Sequence, residues 1–330
     1  MAIPVIDIAP SARSESARRT VAQAIGGACE TIGFFAIVGH GVPDAVDLAC
    51  WDAARGFFDQ PLAERERVAF PHVGYPYGYA RLAGETLAVS RGEAAPPDLK
   101  ESYSIGPLKH PAREPENPSE AFVYSANLWP DQPSDFRAVC EAYYRAMEDL
   151  AARLMTLFAV ALDLAPDFFD DKIDQHISAL RVLNYPDQQT PPQPGQLRAG
   201  AHSDYGSLTI LRQEQAPGGL EVLTLDGLWT PVPAIEGAYV VNIGDLMARW
   251  TNDRWVSTLH RVVNPPPDAA GSTRRQSIAF FHQPNWDAEI TCLPTCLEAG
   301  SVAKYGPARS GPYLMSKFTS TVDQKAEMAN

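Results

Sequence analysis

The second half of the chain predicts a mainly β fold with helices packed outside it, most simply a jelly roll. From about Ile177 short β-rich runs alternate with turn residues: ALRVLNYP, SLTILRQ, GLEVLT, LWTPVP, AYVVNIG, LHRVVNPP and RQSIAFFH. Several short strands separated by Gly and Pro turns mark an all-β sandwich or barrel. A jelly roll packs about eight such strands and leaves a cavity between its sheets. The first half supplies the other observation, because most of its periodic segments have helical spacing.

The elements follow in order. Residues Pro4 to Ile8 alternate apolar and polar as a first short strand, ended by Pro10. Ser16 to Thr31 is helical, with Val21, Ile25 and Cys29 four apart. Gly33 breaks that helix, and Phe34 to Val38 suits a buried strand. A second helix runs from Pro43 to Phe58. The stretch from Pro61 to Pro133, rich in Gly, Pro and Tyr, reads as irregular covering loops. A long helix follows from Ser134 to Asp163, with Ser134 as its cap and Phe136, Cys140, Tyr143, Met147, Leu150, Leu154 and Phe158 on one face. After the β region the tail returns to helix around Tyr313 to Phe318. No composition shift marks a domain break, so 1–330 reads as one unit: a strand, helix and covering region (1–176), the β core (177–290) and a C-terminal segment (291–330).

Composition narrows the partners. Of 330 residues, 40 are Asp or Glu against 27 Lys or Arg, a formal charge of -13. Such a surface repels phosphate backbones and anionic lipid, which argues against nucleic acid or a membrane surface as partner. A small anionic ligand would need a local basic pocket. No apolar run approaches the ~18 residues of a membrane span, and MAIPVIDIAP lacks the basic leader of a signal peptide. The five cysteines are scattered and form no CxxC pair, as expected of reduced, mostly buried thiols. A cytoplasmic location is the expectation.

The chemistry concentrates at His202-Ser203-Asp204 and at His260, 56 residues after Asp204. Residues i and i+2 of an extended segment share a side, so His202 and Asp204 can converge on one ion. Two imidazoles and a carboxylate on one face of an octahedron leave adjacent positions open, the arrangement of non-haem Fe(II) oxygenases. An H-x-D alone is weak, and a hydrogen-bonded loop histidine is its plain alternative. The setting strengthens it: the motif lies between two β runs, His260 opens a third, and Gly200 and Gly206 leave room for crowding. A second signal is Arg275-Gln276-Ser277. On a strand Arg275 and Ser277 face one way, Gln276 and Arg274 the other, with Arg274 expected in solvent. An inward Arg is costly unless paired. A carboxylate ligand suits a guanidinium fork plus a hydroxyl; a structural ion pair is the alternative.

With these motifs on the page, the chain resembles the isopenicillin N synthase-like branch of the Fe(II)/2-oxoglutarate-dependent dioxygenases. IPVIDIAP, GFFAIVGHGV, DLKESYSIG, NLWP, NYP, HSDYGSLTIL, GGLEVL, VNIGDLMARWTNDRWVSTLHRVV and RRQSIAFF carry the likeness in order, nearly end to end. The resemblance implies a double-stranded β-helix, a cupin-like jelly roll, with iron on His202, Asp204 and His260. It implies that Arg275 and Ser277, helped by Tyr185, hold the distal carboxylate of 2-oxoglutarate. Dioxygen would be the second co-substrate, and a small molecule would be hydroxylated, desaturated or cyclised with release of succinate and carbon dioxide. The segment Leu183-Asn184-Tyr185-Pro186 departs from plant-type members, which carry two Tyr there, so a co-substrate role for Asn184 is left open. The family's covering segments point to Tyr77, Tyr79, Arg81 and Tyr103 for the substrate pocket, against the alternative that these tyrosines pack a lid.

Competing readings are an Fe(II) oxidase of the same fold that does not use 2-oxoglutarate, a non-catalytic metal- or ligand-binding protein, and a zinc hydrolase. The last needs a general base that the sequence does not offer. His40 reads as a turn residue, His282 as a surface or neighbouring group, Asp245, Asn252 and Asp253 as turn residues. His72, His110 and His176 have no supporting context.

Overall fold

The computed structural model describes residues 3–318 apart from 73, 189 and 299. Strand β1 (Val5–Asp7) leads into α1 (Glu15–Thr31), capped by Ser14, whose side chain accepts from the Ala17 amide at 3.1 Å. At the end of α1 the chain turns at Gly33, where φ is +66° and a Cβ would lie 2.0 Å from the Val256 carbonyl oxygen. Only glycine fits that turn. Next come β2 (Phe34–Val38), α2 (Asp44–Phe58), α3 (Leu62–Glu66), β3 (Gly78–Ala80), β4 (Glu101–Ile105), α4 (Pro118–Val123), the long α5 (Phe136–Ala161) and α6 (Asp170–Ile173). The β region holds β5 (Ala179–Tyr185), β6 (Ala199–His202), β7 (Leu208–Gln213), β8 (Gly219–Leu223), β9 (Trp229–Pro231), β10 (Tyr239–Ile243), α7 (Asp245–Trp250), β11 (His260–Val263) and β12 (Arg275–His282). Residues 310–318 are helical, and residues 319–330 of the expected C-terminal segment lie outside the described residues.

Two sheets form the jelly roll. The larger runs β1-β2-β10-β7-β12-β5-β4-β3 and the smaller β6-β11-β8-β9. Only the β1–β2 pairing within them is parallel. Because side chains alternate along a strand, the register sorts the large sheet into two faces. One face carries Tyr185 opposite Arg275, Leu183 opposite Ser277, Ser277 opposite Gln213, and Thr209 opposite Asn242. The other carries Tyr79 opposite Tyr103, Tyr103 opposite Val182, and Val182 opposite Ile278. The second face packs on α2 and α5, whose buried Phe57, Phe136, Met147, Leu154 and Phe158 join these strands in one apolar core. That core spans Ile6 to Leu293, so the N-terminal and β regions are packed together rather than joined by a linker.

Two expectations for the first half change. The 61–133 stretch is not only covering loop: β3 and β4 extend the large sheet by two strands. Its weak apolar periodicity arises because β4 carries serines on the face toward the cavity and Tyr103 and Ile105 on the core side. The long helix starts at Phe136 rather than Ser134, its cap position is Asp135, and no side chain caps it.

Candidate active site

His202 closes β6 and His260 opens β11, and the two are direct cross-strand partners in the small sheet. Asp204 follows two residues after His202, in the turn before β7. Its backbone oxygen accepts from the Asp245 amide at the start of α7. Gly206 allows this turn to close, since a Cβ there would lie 2.3 Å from the His282 carbonyl oxygen. The donor atoms of His202, Asp204 and His260 all lie within 4.8 Å of one another.

Each of the three side chains is held by its non-ligating end. His202 Nδ1 is 2.7 Å from the Gly200 carbonyl oxygen and His260 Nδ1 is 3.1 Å from that of Thr258. A proton on Nδ1 makes both bonds and leaves Nε2 with its lone pair. Asp204 Oδ2 accepts from Thr209 Oγ1 at 2.6 Å and Asn242 Nδ2 at 2.7 Å. Its Oδ1 then faces His260 Nε2 at 3.7 Å and His202 Nε2 at 4.0 Å. Burial, then the neighbouring His260, pushes the His202 imidazolium down to about 3, so the ring is neutral at pH 7. Burial raises Asp204, but His260, His202 and the bonds from Asn242 and Thr209 outweigh it and hold the carboxyl below its ordinary range. Two imidazole nitrogens and one carboxylate oxygen fit a divalent cation such as Fe(II).

Arg275 and Ser277 lie on the same face of the large sheet as Thr209 and Asn242. Arg275 is 1% exposed; its Nη2 donates to Gln213 Oε1 at 2.9 Å and its Nη1 has no partner. Its guanidinium lies 5.1 Å from the ring centroid of Tyr185, its cross-strand partner. Among the described residues Arg275 makes no ion pair. The alternative of a structural ion pair therefore does not hold. Asn184 faces the other way: its Nδ2 donates to Glu101 Oε1 at 2.8 Å and its Oδ1 accepts from Arg274 Nε at 2.9 Å. It is thereby kept out of the pocket. Arg274 does point opposite to Arg275, but not into open solvent, because it is ion-paired with Asp59.

The four residues expected in the substrate pocket are corrected. Tyr103 lies in the helix-side core, where its hydroxyl donates to the Leu128 carbonyl. Tyr79 is beside it and donates to Glu101. Tyr77 donates to the Val123 carbonyl at 2.6 Å and fills the space a Cβ at Gly106 would need. Arg81 is largely exposed and pairs with Glu66 at 2.9 Å. These tyrosines pack the N-terminal region, the lid alternative: the register of β3 and β4 turns Tyr79 and Tyr103 toward α2 and α5, and Tyr77, just before β3, packs on Gly106 and the end of α4. His282 is also not at the surface: it is 1% exposed, and its Nδ1 hydrogen-bonds with Ser207 Oγ at 2.7 Å.

Residues overlooked in the sequence lie closer to His202. Lys100 is buried and pairs with Asp98 at 2.7 Å and Glu85 at 3.5 Å; Glu85 also pairs with Arg181, which bonds Ser102 Oγ at 2.7 Å. Asp98 Oδ1 accepts from the Gly200 amide at 2.9 Å, two residues before His202, and Lys100 is close enough to depress the His202 ring. The period-two spacing of Lys100, Ser102 and Ser104 in DLKESYSIG is the signal that marks this wall. Arg198, four residues before His202, is fully buried beside Arg275.

The comparisons agree with this geometry. Residues 3–132 match the family described as non-haem dioxygenase in morphine synthesis N-terminal, and residues 177–284 match the 2OG-Fe(II) oxygenase superfamily. The 2-oxoglutarate-Fe(II) type oxidoreductase hxnY of Emericella nidulans is 35% identical over 310 residues, covering 92% of this chain and 86% of its own. Validamycin A dioxygenase of Streptomyces hygroscopicus subsp. limoneus is 32% identical over 320 residues, covering 96% and 85%. The crystal structure of a full-length Neurospora crassa protein in complex with alpha-KG and thymine superposes with a TM-score of 0.84 at 31% identity, covering 97% of each chain. The chain belongs to the 2OG-Fe(II) oxygenase superfamily and is an oxidoreductase that uses Fe(II), 2-oxoglutarate and dioxygen.

Proposed function

We propose that His202, Asp204 and His260 hold the Fe(II), and that Arg275, Ser277 and Tyr185 receive the distal carboxylate of 2-oxoglutarate. The prime substrate is then a small polar molecule, oxidised beside the wall of Glu85, Asp98, Lys100 and Arg181. The observation that carries the reading is the division of labour at Asp204. Thr209 and Asn242 occupy one carboxylate oxygen, and the other faces both histidine Nε2 atoms.

Bound Fe(II) supplies dioxygen activation coupled to oxidative decarboxylation of 2-oxoglutarate to succinate and carbon dioxide. The chain's own groups do the positioning. Gly200 and Thr258 fix the tautomers of His202 and His260, so both rings present a lone pair rather than a proton. Arg275 offers an unpartnered Nη1 with Ser277 two residues along the same face, a donor pair suited to a carboxylate. Hydroxylation, desaturation and cyclisation all remain within this chemistry. A polar substrate is favoured because Lys100, whose charge reaches the His202 ring, lies with Asp98, Glu85 and Arg181 near it. Validamycin A and thymine, which the relatives' names carry, are polar small molecules too.

A net charge of -13 disfavours nucleic acid or an anionic membrane as partner. No described helix is long and apolar enough to cross a membrane. The five free cysteines fit a reducing, cytoplasmic setting. We read the whole chain as one catalytic unit.

Anaerobic titration of the Fe(II)-loaded protein with 2-oxoglutarate is the test. A weak visible charge-transfer band that is lost or weakened in R275A is expected. A confirmed iron load without any band would move the assignment to an oxidase that does without 2-oxoglutarate.

A further inference from the structure

Arg198 has no role in the argument so far, yet it is among the largest fully buried side chains. Its Nη1 donates to the Pro217 carbonyl at 2.9 Å, its Nη2 donates to the Thr273 carbonyl, and its Nε has no partner. Both acceptors are neutral. Among the described residues neither Arg198 nor Arg275 makes an ion pair, whereas every other buried cation at the site, Lys100 and Arg181 included, has an acid. The two guanidiniums flank one ring, with their carbons 5.9 Å (Arg198) and 5.1 Å (Arg275) from the Tyr185 centroid. Burial, then repulsion from Arg275, lowers Arg198 to about 10, which leaves it charged at pH 7.

Two like charges buried side by side, with Asp187 and Glu214 acting on them only from beyond ion-pair distance, raise the energy of the ligand-free protein. An anion entering beside them relieves both at once. We propose that the co-substrate subsite is a two-arginine site, in which Arg198 supplies a second positive charge against the distal carboxylate of 2-oxoglutarate and ties the start of β12 in place through Thr273. Arg198 is a positioning residue: its fork is spent on backbone carbonyls, so it acts by its field and by fixing Arg275 next to Thr273. The inference rests on the 2-oxoglutarate reading above.

The test is calorimetric titration of anaerobic Fe(II)-loaded protein with 2-oxoglutarate and with its 5-methyl ester, which keeps the chelating end and loses the distal charge. Wild type should prefer the diacid. R198Q should weaken 2-oxoglutarate by about tenfold or more while changing the ester by less than about threefold, the pattern of a lost charge pair. R198K, which keeps the charge, should keep the preference, and it serves as the probe if R198Q folds poorly. A purely structural role would weaken both ligands alike in R198Q, and that result would overturn the proposal. So would an R198K that folds normally yet shows no preference for the diacid. Wild type that binds neither ligand would instead bring down the 2-oxoglutarate reading itself, so the two failures are distinguishable.

Discussion

Arg274 and Arg275 are neighbours in the chain and lie on opposite faces of the large sheet, and their surroundings differ in kind. On the helix side Arg274 meets Asp59, Arg212 meets Asp47, Arg65 meets Glu101 and Arg55 meets Glu214. On the cavity side Lys100 and Arg181 are paired with Asp98 and Glu85, but Arg275 and Arg198, around Tyr185, meet only neutral groups. A face that serves stability balances its charges, because an unpaired buried ion costs several kcal/mol. A subsite suited to an anion leaves the balance to the ligand. The same contrast separates the tyrosines: Tyr79 and Tyr103 spend their hydroxyls on protein acceptors on the helix side, while Tyr185 sits between two cations.

The contrast can be broken most sharply at the metal ligands. H260A should abolish succinate formation and iron retention, since groups that merely orient a ligand are already worth about 10–100-fold in metal affinity. Near-normal turnover by H260A would remove the site from this face altogether. Of the orienting pair, N242A should weaken Fe(II) binding by about 10–100-fold and leave the fold intact, measured by equilibrium competition with a chelator. Next come the paired arginines. R275A should cost about 2–5 kcal/mol of 2-oxoglutarate binding, whereas R274A should leave that affinity unchanged. Because the Arg274–Asp59 pair is partly exposed and screened, R274A should cost no more than about 1 kcal/mol of stability. Equal effects of the two on affinity would erase the distinction between faces.

Smaller effects sharpen it. Y103F should lose about 1 kcal/mol in chemical denaturation, the worth of one buried hydrogen bond, with KM for 2-oxoglutarate unchanged. A changed KM would return Tyr103 to the pocket. His282, on the helix side, is held far below its ordinary range by burial and by His176. The unfolded chain therefore binds a proton that the folded one refuses as pH falls below about 6.5. Stability should decline with falling pH by about 1.4 kcal/mol per unit for this one group. H282Q should flatten the acid limb of the stability curve by that slope without altering iron affinity.

Much of the fold was legible because it is written in short periods. The alternation in RQSIAFFH put Arg275 and Ser277 on one side, and the i, i+2 rule put His202 beside Asp204. The helix from Glu15 to Thr31 and the strand from Phe34 to Val38 fell where their apolar spacing placed them. The covering stretch resisted reading because its strands are short and half polar, so no period stands out over 61–133. The site's supporting groups were harder still. Asn242 is a lone polar residue in AYVVNIG, a signal that something polar faces it, but not that Asp204 does. Arg198 lies just before β6, and the register shift between Ala199 and His202 breaks the alternation, so spacing does not place it beside Arg275.

Sequence by itself determined the jelly-roll class and the family, and it singled out His202, Asp204 and His260 and the pair Arg275 and Ser277 as the candidates. Each depends on residues a few positions apart or on motifs in fixed order. Only the tertiary structure decided that Tyr77, Tyr79 and Tyr103 belong to the core, that Lys100 and Arg181 wall the site, and that Arg198 joins Arg275. Those outcomes depend on register between strands far apart in the chain, where a shift of one residue sends every side chain to the opposite face. Local periodicity says which way a side chain points, and long-range pairing decides what it meets.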